Sequence, residues 1–258
     1  MNHKALRDLL DEKVLKYNHP DFIPADPISI PHNFSKKEDI EISGFLAATI
    51  AWGQRVTILK NAGMLMQHMH NQPYDFVMNA GTEDLRRLTG FVHRTFNGDD
   101  CLFFVEALKH LYLNCGGLEM AFSNGLKAEN SNITDAIASF RDSFLEAPHL
   151  LRSRKHLANP ATGSTAKRIN MFLRWMVRND DKGVDFGLWK QISPAQLYCP
   201  LDVHVGNVAR RLGLLSRVQN DWRAVEELTG NLRKFDPDDP VKYDFALFGM
   251  GVFEGKIK

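Results

Sequence analysis

The chain has 258 residues, 44% of them hydrophobic and 24% charged, with a formal net charge of +1. That is an ordinary globular balance with ample material for a core, and the net charge alone points to no nucleic-acid partner. No run approaches the ~18 apolar residues of a membrane span. Cys101, Cys115 and Cys199 are too widely spaced for a disulfide frame or a zinc or iron–sulfur ligand set, so a reduced, cytoplasmic protein without metal, cofactor or membrane attachment is expected.

The amino terminus, MNHKALRDLLDEKVLKYNHPDF, predicts a charged amphipathic helix and not a signal peptide. Ser35 followed by Glu38 predicts a capping box for the next helix, whose apolar stripe runs through Ile42, Phe45, Leu46 and Ile50. AWGQ ends it near Gly53, and another helix starts near Val56. YDFVMNA and TEDLRRLTG predict short helices, DDCLFFVEALKHLYLNCGG a longer one stopped by a Gly pair, and ITDAIASFRDSFLEA one that buries Ile133, Ile137 and Phe140. HLANPATGSTAKRINMFLRWMVR then joins two helices through a tight turn. DVHVGNVARRLGLL follows with Val205, Val208, Ala209 and Leu212 on one side, and DWRAVEELTGNLRKF and PVKYDFALFGMGVF complete the chain. No alternation of period two, internal repeat or low-complexity tract is visible, and the expected class is all-α with many short helices.

The charge is unevenly spread. From His149 to Asn179 there are seven Lys/Arg (Arg152, Arg154, Lys155, Lys167, Arg168, Arg174 and Arg178) and no acid. A solvated face is the ordinary reading of such a run, but a basic strip on a neutral protein also suits phosphates. On a helical wheel Ile169, Phe172, Leu173 and Met176 form the apolar face, opposite Lys167, Arg174 and Arg178. Solvent exposure accounts for the two arginines. Lys167 is less ordinary, because a cation in the first turn opposes the helix dipole by about 0.3–1 kcal/mol. A lysine nucleophile has to be neutral, with its reference value of about 10.4 brought toward about 7–8. A helix N-terminus, the neighbouring Arg168 and partial burial all act in that direction. The second candidate is Asp202, just before a helix. Capping explains it without further function, yet one carboxylate oxygen can cap while the other faces a cleft.

At these residues the chain resembles the helix-hairpin-helix DNA glycosylase superfamily, which includes endonuclease III. FLAATIAWGQRVTILKNAGML is similar to an early helix pair whose loop carries a glutamine near the flipped nucleotide, here Gln54 beside Arg55. HLANPATGSTAKRINMFLRWMV resembles the hairpin that grips the DNA backbone and opens the helix bearing the catalytic lysine. PLDVHVGNVARRLGL is similar to the segment with the catalytic aspartate, and KYDFALFGMGV to the late helix that closes the lobe. An ungapped match to endonuclease III would place the lysine position at Thr165. The longer spacing here is more like the archaeal 8-oxoguanine DNA glycosylases and places it at Lys167. NPATGS departs from the usual Leu-Pro-Gly-Val-Gly hairpin, with Ala161 at the first glycine. The wording KRINMFLRWMVR…VDFGLW also resembles an uncharacterised bacterial family known only by a domain-of-unknown-function label.

The resemblance implies a two-lobed helix-hairpin-helix glycosylase-like fold. Lobe one would span about 40–147, and lobe two 1–39 plus 148–258, with the hairpin at about 152–178. It implies base-excision repair of DNA by a glycosylase with AP lyase activity on a damaged base, an oxidised purine among the candidates. Lys167 and Asp202 would be catalytic. Gln54, Arg55, Gly163, Ser164, Thr165, Arg168, Arg174 and His204 would meet DNA, with His93 and Arg94 as further candidates. Trp52, Trp175, Trp189 and Phe91 could stack on a base, although core positions are commoner for such residues. The alternatives are a non-catalytic nucleic-acid-binding module with Lys167 as a phosphate contact, and a helical scaffold without such a partner. No protein partner is indicated.

Overall fold

The computed structural model describes residues 2–127 and 132–254. The class is all-α. The described residues form twelve α-helices, several 3-10 turns and one pair of two-residue strands. They divide into two compact units, one of residues 1–22 and 159–258 and the other of residues 23–158. Segments 23–39 and 148–158, which the resemblance assigns to the second lobe, therefore belong with residues 40–147 instead.

In the unit of residues 23–158, α2 (Lys37–Thr49) is buried along most of its length. Its N-cap is Lys36, with no side-chain cap bond, so Ser35 does not start it as the capping-box spacing predicts. The acids Glu38 and Asp39 instead lie in its first turn, where they suit the dipole. The chain continues through α3 (Arg55–His68), α4 (Pro73–Asn79) and α5 (Thr82–Leu88). Val92–His93 then pairs antiparallel with Phe96–Asn97, a hairpin turned through Arg94 at φ +56°. Two residues per strand are too few to show alternation in a sequence. Next come α6 (Gly98–Asn114), α7 (Leu118–Ser123) and α8 (Ile133–Phe144). Reciprocal bonds between Asn97 and Asp100, and between Asn132 and Asp135, cap α6 and α8. The core is aromatic: Phe122 stacks on Phe140 at 4.1 Å, and Phe45 touches Phe104, Phe140 and Phe144. Each such pair contributes about 0.5–1.5 kcal/mol beyond its buried area.

In the other unit, α1 (His3–Tyr17), α9 (Lys167–Val177), α10 (Val203–Arg211), α11 (Trp222–Arg233) and α12 (Tyr243–Phe253) surround a second core. The helix-turn-helix expected at 152–178 takes another form. Only α9 is an α-helix there; 3-10 turns at Leu151–His156 and Pro160–Thr162 precede it, and the boundary between the units falls at residues 158 and 159. Pro160 and Gly163, the latter at φ +88°, do not continue a helix. Every residue of α9 from Ile169 to Val177 is buried. After α9 the chain folds back along the helix end, with the Phe186 and Trp189 N–H groups donating to the carbonyls of Trp175 and Met176. α12 packs on both α1 and α10. The fit is close at two glycines: a Cβ on Gly249 would lie 2.2 Å from the Tyr17 ring, and one on Gly251 would lie 3.1 Å from His204 Cβ.

Candidate functional site

Lys167 opens α9 and Asp202 caps α10. The residue before the lysine, Ala166, is buried in the left-handed region at φ +46°, a conformation costing an L-residue about 1–2 kcal/mol. Its N–H donates to Ser164 Oγ at 3.2 Å, and Asn170 Nδ2 donates to the Thr165 carbonyl at 3.1 Å. These bonds hold the abrupt turn that launches α9. No side chain caps the helix.

The Asp202 carboxylate divides its oxygens. Oδ1 accepts the Val205 N–H at 3.0 Å, and Oδ2 lies 3.9 Å from Lys167 Nζ. Both side chains are about a quarter exposed, at 24% and 25%, so the pair is open to a reactant but shielded from bulk water. Lys167 Nζ also donates to Met171 Sδ at 3.4 Å, one turn down the same face. Arg168 is half-buried, and burial lowers its guanidinium to about 10.

Beneath the pair lies a charged cluster. Arg174 donates from Nη1 to Asp244 Oδ2 at 2.6 Å, and its Nε is 3.3 Å from Asp185 Oδ1. Arg178 pairs with Asp180, Asp185 and Asp239. Phe245 lies under both guanidiniums, 4.1 Å from that of Arg174. Burial pushes Asp244 up to about 6; Arg174 and Lys167 pull it down, while Asp202 and Asp185 add to the rise. Burial likewise raises Asp185, against the pull of Arg174 and Arg178. Cys199 is buried, and burial together with Asp244 keeps its thiol protonated.

These contacts correct the wheel-based reading of α9. Arg174 and Arg178 retain only 4% and 3% side-chain exposure, so neither belongs to a solvent-facing stripe and Arg174 is not a surface DNA contact. A wheel separates charged from apolar residues, but it does not show that carboxylates from three other segments cover the charged side. Arg152 is likewise engaged, by Asp100, Asn97 and the Thr95 carbonyl. Ala161, Thr162 and Gly163 are exposed, Ser164 and Thr165 half-buried, and His204 exposed. In the unit of residues 23–158, Gln54 is exposed at the N-cap of α3 and Arg55 is half-buried. His93 is buried between Asn61 and the Trp52 carbonyl, which removes it as a DNA contact, while Arg94 is exposed. Trp175, Trp189 and Phe91 are core residues; Trp52 is half-buried.

Sequence reasoning missed Asp244 and Asp185. Asp244 has the signature of a first-turn acid, and its partner Arg174 is 70 residues away. The residues of 23–158 also form an open groove of about 840 Å³ lined by Leu85, Leu102, Phe103 and Leu150, which includes none of the expected site residues. Among the described residues, no group of three or more His, Cys, Asp or Glu side chains is disposed to hold a metal. Nor is any helix long and apolar enough to cross a membrane.

The chain is thus a helical protein with a partly exposed amine–carboxylate pair at the starts of two helices. It belongs to the family described as "Protein of unknown function (DUF2400)", which it matches over residues 26–253. No match to a curated protein or to a solved structure was found.

Proposed function

We propose that this protein is a DNA base-excision glycosylase with associated AP lyase activity, with an oxidised purine as the first base to test. One observation carries the reading: two groups 35 positions apart, Lys167 and Asp202, bring Nζ and Oδ2 to 3.9 Å at a partly exposed site. A base has to leave the stack to be acted on, at a cost of a few kcal/mol that is smaller for a damaged or mispaired base. Lys167, once deprotonated, attacks C1′ of the everted nucleotide. The C1′–N bond breaks, and its electron pair leaves with the base, which takes up a proton. Asp202 stabilises the positive charge that develops on the sugar. Ring opening then gives a Schiff base between Nζ and C1′. Loss of a C2′ proton expels the 3′ phosphate, and water releases the lysine. Asp202 also favours the charged amine, so the helix N-terminus, Arg168 and desolvation by the bound nucleotide have to outweigh it. The exposed turn Ala161–Gly163 and the half-buried Ser164 and Thr165 are available to the DNA backbone.

A second reading keeps the DNA and drops the chemistry. The same 3.9 Å contact favours an ammonium, which would serve as a phosphate contact in a non-catalytic binding module. Borohydride separates the two. A duplex containing 8-oxoguanine, incubated with protein and reductant, is expected to give a covalent complex that is lost in Lys167→Ala and retained in Lys155→Ala. Salt-dependent binding without trapping, across a panel of lesions, would favour the module.

A further inference from the structure

We propose that Asp244 is a positioning residue: through its bond to Arg174 it fixes α9 against α12, and so holds Lys167 opposite Asp202. The proposal rests on reading Lys167 and Asp202 as the reactive pair. Lys167, Met171 and Arg174 follow at i, i+4 and i+7 on one face of α9, and Lys167 already leans on Met171 at 3.4 Å. Arg174 therefore marks the same face two turns below the amine. Its 2.6 Å bond crosses to Asp244 on α12. α12 in turn packs on α10, whose N-cap is Asp202, closely enough that Gly251 leaves little room for a Cβ beside His204. The three helices form a closed loop of contacts: amine to Arg174 along α9, Arg174 to Asp244, and α12 to the helix capped by Asp202.

Folding stability is a poor reason for such a clamp. Apolar residues of similar volume often hold a core as well as a buried ion pair does, so what the pair adds is directional. Asp244 is also electrostatically coupled to the site it supports. The groups facing it are Arg174 and Lys167 from α9, Asp202 from α10, Asp185 from the loop after α9, and the buried Cys199. Its ionisation near pH 6 thus adds a negative charge within range of the Lys167 amine.

Amine labelling tests this independently of any DNA chemistry. Wild type, Asp244→Asn and Asp239→Asn are acetylated across pH 5–9, and the rate at Lys167 is read by peptide mass spectrometry. Asp239 serves as comparator because it belongs to the same cluster but pairs with Arg178. The wild-type rate is expected to rise with pH and to show a shallower stretch near pH 6. Asp244→Asn removes that stretch and labels Lys167 about 3–10-fold faster above it, while Asp239→Asn keeps the wild-type profile. In borohydride trapping, Asp244→Asn is expected to be at least 10-fold slower at unchanged duplex affinity. Loss of the stretch near pH 6 in Asp244→Asn but not in Asp239→Asn separates the Asp244 charge from general loosening of the fold, which would speed labelling at every pH. A wild-type labelling profile in Asp244→Asn, or the same change in both variants, overturns the proposal, as does wild-type trapping by Asp244→Asn. If the wild type traps nothing, the glycosylase reading fails and the labelling profile alone decides the clamp.

Discussion

Asp202 shows how one side chain can carry two separable tasks. Its Oδ1 caps α10 through the Val205 N–H, and its Oδ2 faces Lys167. Asn preserves an oxygen for the cap and removes the charge, whereas Ala removes both. Asp202→Ala is therefore expected to lose about 1 kcal/mol of stability in urea unfolding, and Asp202→Asn only a few tenths. Both variants should slow trapping by about 10²–10⁴-fold, the range for a lost acid–base group. Equal stability losses in the two would assign the cap bond no part in holding α10; unchanged trapping in Asp202→Asn would remove the carboxylate from the chemistry. The sequence alone indicated both members of the pair for physical reasons. A cation in a first turn and an acid before an apolar helical stripe are each local anomalies or signals. Asp244 carried no such signal, because a first-turn acid is already explained by its own helix.

Helix α9 is the element whose character the sequence concealed. Its apolar residues Ile169, Phe172, Leu173 and Met176 are buried as periodicity predicts, but so are Asn170, Arg174 and Trp175. Burial of the charged side depends on Asp185 and Asp244, contributed by a loop and a distant helix, and no periodicity within α9 encodes them. The other helices were legible from the Gly pair that stops α6, the apolar spacing of α8, and the cap and apolar stripe of α10. The six-residue hairpin at Val92–Asn97 was not, and the 3-10 turns ahead of α9 lack the length that gives a helix its stripe. The buried acid also makes stability depend on pH in an unusual sense. The folded protein keeps the Asp244 proton up to about pH 6, whereas an unfolded chain releases it near the ordinary carboxylate value of 3.8. Unfolding therefore releases a proton in that window. The stabilising contribution is full below about pH 4, falls by as much as about 3 kcal/mol as pH rises to about 6, and is flat above. The difference in urea stability between wild type and Asp244→Asn should shrink or reverse across that interval. A constant difference would mean that Asp244 titrates normally.

For the molecule as a whole, a net charge of +1 leaves no general attraction to DNA, so any affinity has to come from local groups. Of the seven cations between His149 and Asn179, four (Arg152, Lys167, Arg174 and Arg178) are engaged by carboxylates, which leaves at most three for phosphates. At about 0.9 counter-ions released per phosphate, this segment contributes no more than about 3 to the salt slope of duplex binding. Lys155→Ala should reduce the slope by about 1, and Arg174→Lys should leave it unchanged. A reduced slope in Arg174→Lys would contradict the burial of that guanidinium.

The proposed chemistry depends on which amine attacks C1′. After borohydride reduction with a lesion-containing duplex, nuclease and protease digestion followed by mass spectrometry locates the deoxyribose remnant. The expected result is a single modified peptide with the adduct on Lys167. An adduct on Lys155 or any other lysine, or wild-type turnover of the lesion with no adduct, would contradict it.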